Sequence, residues 1–123
     1  MIYNHNQIEQ VRLAITTDTG GAATVLSDDQ YIGFLYAVQL IDGDLADGVD
    51  IVLTAEQGEL SIPLLTKADW NTDQMAYPRV LEALNTDGTA LTTHTEPIVI
   101  GKIKAVIAQG GDSKSGAVIA YVR

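Results

Sequence analysis

The chain has 123 residues, 16 acidic side chains against 7 basic ones, a formal charge of −9 and no cysteine. That length suits one domain with its own core, and the absence of cysteine excludes disulfides, thiolate catalysis and cysteine-ligated zinc or iron–sulfur centres. The acidic balance argues against nucleic acid, whose phosphates are gripped by clustered Lys and Arg.

Residues 1–9 are polar and lack periodicity, so they read as a flexible N-terminal arm. The opening Met1-Ile2-Tyr3-Asn4 has neither the basic start nor the apolar run of a secretory signal. Cytoplasmic synthesis and assembly are therefore expected. Ile2 and Tyr3 have no local core to join, which makes them candidate partner contacts.

Val11, Leu13 and Ile15 alternate with Arg12, Ala14 and Thr16, the period of a half-buried strand. Asp18-Thr19-Gly20-Gly21 ends that strand with turn chemistry, and Ala22–Leu26 returns. Residues 31–41 form the strongest strand, with Ile32, Phe34, Tyr36, Val38 and Leu40 on one face. An acidic loop follows, from Asp42 to Asp50. Val49, Ile51 and Leu53 alternate again, as do Leu60, Ile62 and Leu64. Pro63 cannot donate to a ladder, so that strand is placed at an edge or given a bulge.

The segment 67–86 breaks the pattern. Pro78 is suited to open a short helix through Leu84. Trp70 and Tyr77 bracket the segment and are candidate interface aromatics, with plugging the end of the sandwich core as the competing and favoured role for both. Residues 90–95 fit a loop or a strand. Ile98–Gln109 reads as a long strand with a bend or bulge at Gly101. A glycine-rich turn then leads into Ala117–Val122, completing a hairpin.

The sum is roughly seven to nine short strands, turn signals about every ten residues and little helix. The expected fold is all-β: an antiparallel β-sandwich, jelly-roll-like or a compact barrel, with residues 10–123 as a single domain. No apolar run is long enough to span a membrane, and no membrane partner is expected.

Catalytic and metal chemistry find little purchase. Asp42, Asp44, Asp47 and Asp50 are hard oxygen donors on a flexible loop, which suits calcium. An EF-hand, however, needs a ligand where Ala46 stands, glycine where Asp47 stands and a later bidentate glutamate. The loop reads as solvated turn. His5 and His94 are the only histidines, too few for zinc, and no Gly-x-Ser-x-Gly elbow accompanies them. Gly20-Gly21 and Gly110-Gly111 lack the following helix of a phosphate loop. No catalytic residue, cofactor or metal is expected.

The closing stretch GKIKAVIAQGGDSKSGAVIAYVR, from Gly101 to Arg123, resembles the C-terminal hairpin of small virion proteins of tailed bacteriophages. Capsid cement or decoration proteins are the closest in kind. The resemblance implies a non-enzymatic β-sandwich that forms dimers or trimers on the outside of the phage head and clamps neighbouring major capsid proteins. Other roles remain open: a head–tail connector, tail or fibre component, or a carbohydrate- or ligand-binding β-sandwich.

Overall fold

A computed structural model describes residues 7–81, 86–90 and 92–123. Among these residues the chain is built of strands without helix. In chain order they are β1 (Glu9–Thr16), β2 (Ala23–Leu26), β3 (Tyr31–Ile41), β4 (Asp50–Gln57) and β5 (Leu60–Lys67). Then come β6 (Gln74–Ala76), β7 (Val80–Leu81), β8 (His94–Thr95), β9 (Ile98–Ala108) and β10 (Ser115–Val122). All pairings are antiparallel, and the fold is a sandwich-like all-β structure.

The strands run in the order β1-β10-β3-β9-β4-β5, with β2 also on β9 and β6 also on β3. Two long strands each serve both layers. The first residues of β3, Tyr31–Phe34, pair with Gly101–Ile98 of β9. Beyond that corner β3 joins β10 and β6, while β9 joins β4 and β2. The small β7–β8 ribbon stands apart from the main sheet.

Gly101 makes the corner possible. Its φ of +102° lies where side chains other than glycine are strained. A Cβ there would also run into the Glu56 carbonyl of β4. The expected bend in a long strand is thus present, at the point where β9 changes partners. Gly33 serves the same corner by close approach, because a Cβ would lie 2.7 Å from the Arg123 carbonyl oxygen. That approach lets Phe34 and Arg123 exchange two main-chain hydrogen bonds, at 2.8 and 3.0 Å.

Pro63 behaves as its chemistry requires. It lies in β5, the outermost strand beside β4, and the β4–β5 register slips next to it. Leu64 turns inward at the slip and is buried.

The inner rows of the strands form one core. Val11, Leu13 and Ile15 of β1 face it, with Val118 and Ala120 of β10, Ile51 and Leu53 of β4, and Ile103, Ala105 and Ile107 of β9. Strict alternation fails in β3. Val38 and Leu40 point into the core, whereas Ile32 and Phe34 point out and Leu35 takes the inner place. The register between β3 and β10 slips at Tyr36, and that extra residue reverses which side faces inward.

The short helix expected from Pro78 is not formed in its described part. Val80 and Leu81 are extended and pair with Thr95 and His94. One or two helical turns are marginal without packing, and here a ladder partner is at hand. Residues 82–85 lie outside the described ones.

Candidate functional site

The two ends of the strands differ in chemistry. One end gathers the loops 17–22, 42–48, 69–73 and 109–116. Thr17 knits them together. Its hydroxyl donates to the Gly111 carbonyl at 2.6 Å and accepts the Lys114 N–H at 2.8 Å.

The acidic side chains of this end mostly hold the main chain. Asp44 accepts the Ser115 N–H at 2.6 Å, Asp50 accepts that of Asp69 at 3.0 Å, and Asp73 accepts that of Asp42 at 2.7 Å. Asn71 accepts the Gly48 N–H at 2.6 Å. No cluster of three or more acidic or histidine side chains is arranged to hold a metal ion among the described residues. Burial pushes the Asp42 carboxyl above the usual carboxylate range, and the charges of Asp47, Asp73 and Asp44 push it further.

The other end carries an exposed apolar patch. At the corner, Ile32 lies opposite Ile100 and Phe34 opposite Ile98, all on the outer face. Ile32 is 87% exposed, Phe34 48% and Ile98 43%. Three large apolar side chains facing water, with the half-buried Ile100 completing a quartet, are unusual on a small domain. Beside it Tyr36 carries the Arg123 guanidinium 4.7 Å above its ring, and Arg123 also pairs with Glu96. Tyr77 meets the Tyr36 ring edge-on, with centroids 6.3 Å apart. The aromatic patch therefore continues the quartet around the corner strand.

A groove of about 580 Å³ opens at the same end, between the start of β1 and the first residues of β3. Glu9, Asp29, Tyr31, Ile32 and Arg123 line it. Burial raises the Tyr31 hydroxyl above the ordinary tyrosine value, and Asp29, Glu9 and Asp28 add to the effect.

Two of the sequence candidates can be placed. Trp70 is not an interface residue of the folded chain. It is fully buried in the core; its main-chain N–H donates to the Val49 carbonyl at 2.7 Å, while its indole N–H has no hydrogen-bond partner among the described residues. A large ring beside an open sandwich end gains more from the chain's own apolar rows than from water. Tyr77 is 57% exposed, against Tyr36. Ile2, Tyr3 and His5 lie outside the described residues. His94 is exposed in β8.

Spacing alone did not reveal this outward quartet, because Ile32 and Phe34 share a parity with the buried Val38 and Leu40. Proximity of Ile98 and Ile100 to them depends on a pairing between distant strands.

No helix among the described residues is long and apolar enough to cross a membrane. No protein-family model matches the chain, and no curated protein matches it.

Proposed function

We propose that this chain is a non-enzymatic structural module of a virus particle, and specifically a capsid cement protein of a tailed bacteriophage. One observation supports an assembly role above others: the outward quartet of Ile32, Phe34, Ile98 and Ile100 at the β3–β9 corner. Burying a side chain of this kind contributes about 1.5–3 kcal/mol. A surface that leaves several in water gains most from a partner that covers them. The rigid antiparallel frame and the high negative charge fit the same reading, since charge keeps free subunits apart before assembly. The resemblance of the 101–123 hairpin to small phage virion proteins supplies the particle.

In this reading the subunit forms dimers or trimers on the outer surface of the head and bridges neighbouring major capsid proteins. Sedimentation of the purified protein with mature shells that lack it tests the proposal. Saturable binding over the whole shell, seen by electron microscopy, is expected. Labelling confined to one vertex or to the tail would assign the protein to a connector or tail instead. No binding to any part of the particle would remove the virion role.

A further inference from the structure

The edge of β1 turned away from β10 pairs with no strand among the described residues. The eight residues of β1 keep an unbroken register with β10, from Glu9 opposite Val122 to Thr16 opposite Ser115. Neither proline nor bulge interrupts them. The outer strand on the other side is built differently, for β5 carries Pro63 and a register slip. Sheets commonly blunt the edges that must stay unpaired, with proline, bulges or short strands. This chain blunts β5 and leaves β1 regular.

Glu9, the first residue of β1, also lines the groove with Gln7, Asp29, Tyr31, Ile32 and Arg123. The charge there is one-sided. Glu9, Asp28 and Asp29 all act on the Tyr31 hydroxyl. Arg123 does not offset them, because its guanidinium pairs with Glu96 and lies over Tyr36. Arg12 stands at mid-strand, opposite Ile119, rather than in the groove. Ile32 adds a bare apolar wall.

We infer that the free edge of β1 and the groove at its start receive an extended, Lys- or Arg-bearing segment of a different protein chain. The incoming main chain adds to β1 as a further antiparallel or parallel strand. A cationic side chain enters between Glu9 and Asp29, with its methylenes laid on Ile32. A second copy of this chain is the poorer occupant, since 16 acidic residues against 7 basic ones bring like charge to an acidic groove. The inference goes beyond the particle reading and does not need it, because edge pairing with a basic strand can succeed where shell binding fails.

Calorimetry on the full chain with three synthetic peptides tests it. The first alternates valine and threonine with lysine near both ends. The second has glutamate in place of lysine. The third is the lysine peptide with alternate amides N-methylated, which keeps its charge and removes its ladder donors. The first should bind, and the other two at least about tenfold more weakly. Glu9→Gln combined with Asp29→Asn should weaken the first by about tenfold. Amide exchange across Glu9–Leu13 should slow when the first peptide is bound. Equal binding of the methylated peptide would mean that charge alone is recognised, and would overturn the edge. Equal binding of the glutamate peptide, or no binding of the lysine peptide, would overturn the proposed occupant. Outer-edge β1 amides already protected in the free full chain would show the edge filled by the chain itself or a second copy, and would overturn the inference too.

Discussion

On the side of β9 away from β4, where β2 has ended, Ser27 completes the ladder at Ile103. The Ser27 N–H donates to the Ile103 carbonyl at 2.8 Å, and the Ser27 hydroxyl accepts the Ile103 N–H at 2.9 Å. The same hydroxyl donates to the Asp29 carbonyl at 2.8 Å. The chain leaves the ladder between β2 and β3, and one side chain bridges the gap. Ser27→Ala should leave the buried Ile103 N–H unpaired and cost about 1–3 kcal/mol. Urea denaturation measures the loss, and faster exchange of the Ile103 amide locates it. An unchanged midpoint would show that the bridge contributes nothing.

Gly101→Ala should be worse. The new methyl group meets the Glu56 carbonyl in a backbone conformation already strained for alanine. A loss of at least about 2 kcal/mol is expected in chemical denaturation. A near-neutral result would mean that the corner can relax without its glycine.

Trp70→Ala removes the largest buried side chain and should cost about 3–5 kcal/mol. Trp70 is the only tryptophan, so its fluorescence reports this directly. Emission of the native wild type should be shifted to the blue and move to the red on unfolding. Red emission from the native protein would contradict its burial.

Asp42 gives the chain a specific pH dependence. Its folded-state pKa is raised, by burial first and then by Asp47, Asp73 and Asp44. Its contribution to stability is therefore greatest below the ordinary value of 3.8 and is lost as pH rises through the higher folded value. At neutral pH the ionised carboxylate is a net cost. Asp42→Asn should stabilise the protein at neutral pH by roughly 0.5 kcal/mol. Denaturation curves across pH should show the gain fading in acid. A gain equal at every pH would point away from the charge.

The outer quartet should separate binding from stability. Ile32→Ser with Phe34→Ser should change the unfolding free energy by no more than about 0.5 kcal/mol, because neither side chain is in the core. The same double substitution should weaken binding to assembled shells and reduce uptake of an apolar dye. Retained binding would move the contact elsewhere.

Much of the frame was legible from spacing alone. The period-2 rows of Val11, Leu13 and Ile15 and of Ile51 and Leu53 predict both strand and buried face, because one side of each meets the core. Gly101 and Pro63 predict a bend and an edge from chemistry that no neighbour can override. The reversal of faces at Tyr36 left no mark in the sequence, since every residue around it suits a strand. The β7–β8 ribbon was equally hidden. Val80 and Leu81 fit a helix by spacing, and their partners His94 and Thr95 lie far along the chain. The candidate site followed the same rule. A core role is the favoured reading of Trp70 and the one it takes, whereas the same reading fails for Tyr77, which stays exposed. The quartet exists only because residues 31–34 meet residues 98–101.

The placement of β10 between β1 and β3 also sets the order in which the protein can be made. β3 already has β6 and β9 beside it, but β1 has no ladder partner among the described residues until β10 arrives between the two. Such long-range pairing is slow, on the order of milliseconds to seconds. Until then the apolar row of β1 lacks its place in the sheet, at risk of pairing with other unfinished chains. The negative charge spread through the turns keeps those chains apart during this interval, so it protects the nascent subunit before it protects the folded one.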